Sequence, residues 1–167
     1  MIFVIIALVI VMKKIVIMSD NHGYQEAMQK VKNLENDGDY YVHCGDSETM
    51  RKDDLRGWIC VRGNNDWSFD LPKEAILEIE GIRILITHGQ FFGYFNREAK
   101  MKSLLVDNDC KVLFSGHTHM PSIVEEDGYV FINPGSTSLP RGGSKASYAV
   151  VYIDQGKIQA EIKDFKK

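Results

Sequence analysis

Apolar and polar positions along this chain alternate between two rhythms. Short apolar runs recur at Ile15-Val16-Ile17-Met18, Tyr40-Tyr41-Val42-His43-Cys44, Trp58-Ile59-Cys60-Val61-Arg62, Ile82-Arg83-Ile84-Leu85-Ile86 and Val112-Leu113-Phe114. Runs of this length, rich in β-branched residues and closed by Gly, predict buried strands. Between the first two, Tyr24 to Glu35 carries Ala27, Val31 and Leu34 on one face, the spacing of an amphipathic helix. Met101, Leu104 and Leu105 predict another helix over Arg97 to Val106, and Asp53-Asp54-Leu55-Arg56 a short one. Ala75 to Glu80 alternates and turns at Gly81, and Ser122 to Ile132 turns at Asp127-Gly128. Tyr148 to Ile153 and Lys157 to Ile162 flank Asp154-Gln155-Gly156. Each of these three patterns predicts a hairpin. Strand–helix alternation followed by hairpins predicts an α/β fold of two packed mixed β-sheets flanked by helices. No internal repeat, low-complexity segment or domain linker interrupts it.

Composition narrows the class. A chain of 167 residues with 44% hydrophobic and 26% charged residues supports one globular domain with a real core. A net charge of −3 provides no basic face, so duplex nucleic acid is not an expected partner. Cys44, Cys60 and Cys110 show no Cys-x-x-Cys spacing and sit in or beside apolar runs, which predicts buried thiols and a cytoplasmic location. Residues 1–12 are almost wholly apolar and precede Lys13-Lys14. Spanning a bilayer takes about 20 apolar residues, and a signal peptide would place basic residues before the apolar stretch. Residues 1–12 are therefore read as an N-terminal extension, from an upstream start or an added segment, with no membrane partner expected and a weak membrane or partner contact as the alternative. The domain proper is 13–167.

The chemistry gathers where the apolar runs end. Ser19-Asp20-Asn21-His22-Gly23, Gly45-Asp46, Gly63-Asn64-Asn65-Asp66, Thr87-His88-Gly89 and Gly116-His117-Thr118-His119 each place Asp, Asn or His beside Gly. Strand carboxyl ends are where α/β proteins assemble their sites, and Gly permits the tight turns that aim side chains inward. The chain has only five histidines, and four of them lie in these segments. The fifth, His43, lies within a predicted strand and is read as a core or supporting residue, not a ligand. Asn21 is read as shaping its turn.

Taken in order, Asp20-x-His22, Gly45-Asp46, Gly63-Asn64, His88 and Gly116-His117-x-His119 resemble the calcineurin-like metallophosphoesterase superfamily. The short length and Asn133-Pro134-Gly135-Ser136 resemble its small YfcE-type bacterial and archaeal phosphodiesterases. The resemblance implies a four-layer sandwich with a dinuclear site. Asp20, His22 and His119 would hold one ion, Asn64, His88 and His117 the other, and Asp46 would bridge them. It further implies hydrolysis of small phosphoesters by a metal-bridging hydroxide. An all-N/O donor set suits two divalent ions, manganese first, with zinc, iron or nickel as alternatives. Two such ions, two carboxylates and a hydroxide sum to about +1, which attracts an anion.

The chain departs from the family at Asn65. Many members carry a histidine there that protonates the leaving oxygen. An amide donates a hydrogen bond but no proton near neutral pH. Asn65 is thus read as a catalytic position working without a proton, favouring diesters with acidic leaving groups. Asn64 is also a candidate substrate contact. Arg141 either clamps a phosphate oxygen or is an ordinary loop arginine. Phe91 to Phe95 is either a substrate wall or lid, or a core or oligomer contact, and a homodimer or higher homo-oligomer suits the aromatics. The leading expectation is a phosphodiesterase acting on a small phosphodiester. The alternatives are a phosphomonoesterase or nucleotidase on the same site, and a non-catalytic scaffold module like the retromer subunit of this fold.

Overall fold

Ile15, Val16, Ile17 and Met18 are all fully buried, which requires cover on both faces of the strand they form, β1 (Lys13–Met18). The structure, a computed structural model, describes residues 12–93 and 95–166. The reading of 1–12 as an extension thus lies, apart from Met12, outside the described residues. Among the described residues no helix is long and apolar enough to cross a membrane.

β1 is the centre of a five-stranded sheet. It pairs in parallel with β2 (Tyr40–His43), with Ile15 opposite Tyr40, and β2 pairs in parallel with β3 (Ile59–Cys60). On its other side β1 runs antiparallel to β9 (Ser147–Asp154), which forms a hairpin with β10 (Lys157–Asp164). A second five-stranded sheet has the order β4 (Glu74–Ile79), β5 (Ile82–Thr87), β6 (Val112–Phe114), β8 (Tyr129–Asn133), β7 (Ser122–Glu126). β5, β6 and β8 are parallel, and β4 and β7 close the two edges as hairpin partners.

The strand period of two sorts the side chains into layers. Ile15, Ile17, Ile84, Ile86, Val112, Phe114 and Ile132 meet between the sheets. Val16 and Met18 point the other way, onto Ala27, Met28 and Val31 of α1 (Glu26–Leu34). Leu85 and Leu113 likewise pack on Leu105 of α2 (Arg97–Asp107). The result is helix, sheet, sheet, helix, as the pattern predicts. Each fully buried large aliphatic side chain contributes about 1.5–3 kcal/mol, so these layers fix the strand ends rigidly against one another.

Four details depart from the sequence reading. β3 is only Ile59–Cys60: Trp58 N bonds Leu55 O in a turn at 3.0 Å, and Arg62 N is taken by Pro72 O at 2.7 Å. In α1, Met28 joins the buried face, whereas Leu34 is 61% exposed because the helix ends there. Cys44 and Cys110 are buried thiols, but Cys60 is half-buried. The short helix expected at 53–56 is a 3₁₀ turn over Lys52–Leu55.

The loops leaving the strands meet at one edge of the sandwich. Asp20 N bonds Gly45 O at 3.0 Å, His22 N bonds Asp46 O at 3.1 Å, and Gly116 N bonds His88 O at 3.0 Å. Backbone thereby latches the loop after β1 to the loop after β2, and the loop after β5 to the loop after β6.

Candidate metal centre

Five of the candidate ligands sit in left-handed backbone: Asp20 (φ 55°), His22 (43°), Asp46 (56°), His117 (70°) and His119 (60°). A non-Gly residue there costs roughly 1–2 kcal/mol, and such strain gathers at functional sites. The neighbouring glycines explain how backbone and ligands come so close. A Cβ on Gly63 would lie 2.0 Å from Asp46 Oδ1, and one on Gly116 would lie 2.0 Å from Ser19 Oγ and 2.6 Å from Asp20 Oδ2.

Three imidazoles are oriented alike. Nδ1 of His22 meets Glu48 Oε1 at 2.7 Å, Nδ1 of His88 meets Cys44 O at 2.8 Å, and Nδ1 of His119 meets Leu139 O at 2.7 Å. Each partner only accepts, so each Nδ1 carries a proton and each ring turns its Nε2 inward. The three Nε2 atoms converge on Asp20 Oδ1, at 3.8 Å from His22, 3.9 Å from His88 and 3.2 Å from His119. His22 Nε2 and His119 Nε2 face each other at 3.1 Å. His88 Nε2 also faces Asn64 Oδ1 at 3.1 Å and Asp46 Oδ2 at 3.4 Å.

Acceptors so arranged repel unless a cation lies among them. Asp20 Oδ1 is buried and has no hydrogen-bond partner, although an unsatisfied buried carboxylate oxygen is strongly disfavoured. That orphan oxygen, facing three lone pairs, fits a divalent ion. Two groups have ligand-like spacing: Asp20, His22 and His119, and Asp20, Asp46 and His88. Asp20 belongs to both. The donors are nitrogen and oxygen only, the set that suits manganese, iron or zinc. Fixed Nδ1 partners are what orient metal-binding imidazoles.

Protonation follows the same geometry. Burial opposes charge on Asp20, yet His119 and His88 beside it hold its carboxyl below the usual range. Burial also opposes charge on Asp46, where His88 and the Asn65 backbone and side chain depress the carboxyl. Burial works against an imidazolium at His88 and His119, but Asp46 and Asp20 raise the first and Asp20 raises the second. His117 is lowered by burial and then by the neighbouring His88.

The remaining candidates take these places. His117 donates its backbone N–H to Asp20 Oδ2 at 3.0 Å, and its ring lies edge-on to His88 with centroids 5.2 Å apart. Asn65 donates its backbone N–H to Asp46 Oδ1 at 2.8 Å and its amide to Asp46 Oδ2 at 2.7 Å. Arg141 is exposed, and its N–H bonds His119 O at 3.2 Å. His43 is a supporting residue: burial pushes it down to about 4, and its Nε2 bonds Asn21 Oδ1 at 2.8 Å. Asn21 shapes its turn through Tyr24 O at 3.1 Å. In the aromatic segment Phe92 is buried, while Phe91 and Phe95 are 72% and 88% exposed. Tyr94 lies outside the described residues.

Several contributors escape the sequence reading. Glu48 orients His22, and its only sequence signal is its place two residues after Asp46. Asn133 amide donates to Gly116 O at 2.9 Å and to Thr118 Oγ1 at 3.0 Å. Ser136 and Ser138 hydroxyls donate to Asp20 O at 2.6 and 3.1 Å. The Asn133-Pro134-Gly135-Ser136 turn therefore braces two ligand loops.

Comparison with known proteins identifies the family. The model of the calcineurin-like phosphoesterase superfamily domain matches residues 12–156. The chain is 33% identical over 142 residues to the probable metallophosphoesterase YsnB of Bacillus subtilis, covering 84% of each chain. It is 41% identical over 106 residues to phosphodiesterase YfcE of Escherichia coli, covering 58% of this chain and 53% of that one. A crystal structure of a predicted phosphoesterase from Streptococcus pneumoniae superposes with TM-score 0.83 at 31% identity, covering 91% of this chain and 89% of the other. Vacuolar protein sorting 29 from Cryptosporidium parvum, at TM-score 0.72 and 17% identity over 93% of this chain and 99% of its own, shares the fold. The chain belongs to the calcineurin-like phosphoesterase superfamily.

Proposed function

We propose that the chain is a metal-dependent phosphodiesterase with a dinuclear centre, acting on small phosphodiesters in the cytoplasm. The observation that carries this reading is the meeting of His22 Nε2, His119 Nε2 and the orphaned Asp20 Oδ1, a set that a bound cation would satisfy. Asp20, His22 and His119 would hold one ion, and Asn64, His88 and His117 the other, with Asp46 between them. Bound divalent ions supply Lewis acidity toward phosphoryl oxygens and an activated water near neutral pH.

The chain's own groups do the rest. Asp20 and Asp46 stay ionised, since their neighbours depress both carboxyls. Glu48, Cys44 O and Leu139 O keep the three imidazoles aimed. Asn65 presents an amide beside Asp46 and holds no transferable proton. General acid assistance is worth about 10²–10⁴-fold, so aryl diesters should outpace alkyl monoesters. The likeness to phosphodiesterase YfcE supports the diester reading.

The likeness to vacuolar protein sorting 29 supports a second reading, a non-catalytic module on the same scaffold. Metal analysis after manganese loading, with bis(4-nitrophenyl) phosphate hydrolysis and His117→Ala as the blank, separates the two. Two ions per chain and turnover abolished in His117→Ala are expected. Less than one ion with no hydrolysis would establish the scaffold instead.

A further inference from the structure

Beside the metal centre, Arg97, His117, Thr118, Met120, Arg141 and Gly93 enclose a recess of about 140 Å³. Two of these side chains are guanidiniums, and among the described residues no carboxylate lines it. Arg97 opens α2 and is half-buried. Its Nη1 donates to Gly89 O at 3.1 Å, and its guanidinium lies 5.2 Å over the Phe92 ring, so the charge is held in place before any ligand arrives. Arg141 comes from a different loop, the one tied to His119 through its backbone N–H at 3.2 Å. His117 joins the recess to the centre, since its N–H is fixed by Asp20 Oδ2.

Size and charge both select a small anion. At about 30 Å³ per water, 140 Å³ admits four or five waters, room for one phosphate or carboxylate group. Two divalent ions with Asp20, Asp46 and a hydroxide leave about +1, which the single negative charge of a phosphodiester answers. The guanidiniums place two further positive charges at the recess itself, which favours a second anion there. A larger cavity of about 290 Å³ shares Arg97, Thr118 and Met120 with the recess. Met101, Val124 and Phe131 give it an apolar wall, and Glu98 and Glu126 confine the preference for anions to the recess.

We propose that the recess is an anion subsite. The substrate then carries, besides the phosphoester attacked at the metal centre, a second anionic group held between Arg97 and Arg141. This rests on the phosphoesterase reading for its first anion, and the recess geometry supplies the second.

Calorimetry on the manganese-loaded full chain tests it with 4-hydroxybutyl phosphate, butane-1,4-diyl bisphosphate and 4-(phosphonooxy)butanoate, and with their three- and six-carbon homologues. At the best chain length, one of the ligands with a second anionic group should bind about 10- to 100-fold more tightly than the hydroxyl compound. Which of the two does so tells phosphate from carboxylate. Arg97→Gln and Arg141→Gln should each collapse that ratio toward one, and Arg97→Lys, which keeps the charge, should retain part of it. A ratio near one in the unsubstituted chain at every length overturns the proposal, as does a ratio that both Gln variants leave intact. Aryl diester hydrolysis measured alongside reports on the catalytic reading separately, because the ratio is read by heat and needs no turnover.

Discussion

The carboxylate of Asp66 carries the backbone of Asp46. Oδ2 accepts from Asp46 N–H at 2.7 Å and from Gly63 N–H at 2.9 Å, while Oδ1 accepts from Ser47 hydroxyl at 3.0 Å and Glu48 N–H at 2.8 Å. One buried residue thereby joins the loops after β2 and β3. Asp66→Asn keeps one acceptor oxygen and turns an NH₂ toward two donors. Stability should fall by about 2–4 kcal/mol, and manganese affinity by about 10- to 100-fold. Thermal melts and calorimetric titration measure both; a lower Tm with unaltered affinity would make Asp66 purely structural.

Metal stoichiometry identifies the bridging carboxylate. His22→Ala removes a ligand from one group and should leave one ion per chain. Asp46→Ala should lose both, as expected of a bridge. Asp20 Oδ1 is the atom common to the two groups. If Asp20→Ala empties both positions and Asp46→Ala only one, the bridge is Asp20.

Position 65 faces the centre, with its amide 2.7 Å from Asp46 Oδ2. Asn65→His installs a group able to protonate a leaving oxygen. Rates on alkyl phosphoesters should rise, by up to about 10²-fold, and those on 4-nitrophenyl esters should change little. An equal effect on both classes in steady-state kinetics would count against a leaving-group role for this position.

Far from the centre, Glu35 ends α1 in a buried ion cluster. It accepts from Tyr148 hydroxyl at 2.6 Å and lies 2.7 Å from Lys14 Nζ and 3.1 Å from Lys163 Nζ. Burial pushes its carboxyl up, but these partners outweigh burial and hold it below its ordinary 4.5. A depressed folded value means the stabilisation is present above about pH 4.5 and lost as pH falls through the folded value. Glu35→Gln should cost about 1–3 kcal/mol near neutral pH. The Tm gap to the unsubstituted chain should close in acid, and a gap constant from pH 7 down to pH 3 would rule out this ion cluster as the source.

The strands and the ligand loops were legible because their signals are local. Ile15 to Met18 reads as buried on both faces, and Gly next to Asp or His marks each strand end. What orients those ligands was not legible, because it is tertiary. Ser136 reaches Asp20 across 116 positions, and His119 is aimed by the carbonyl of Leu139, which any residue could supply. The two-residue length of β3 is equally hidden, since it depends on Pro72 capturing Arg62 N–H. Arg97 looked like an ordinary helix residue until the fold brought it beside His117.

The left-handed backbone at Asp20, His22, Asp46, His117 and His119 sets the fold and its chemistry in opposition. Replacing any of them by Gly would relax the local conformation, so a lineage selected only for a sturdy scaffold would drift toward glycine at these positions. Retaining side chains there is sustained by what they bind, and the ligand loops are where thermostabilising selection would erode activity first.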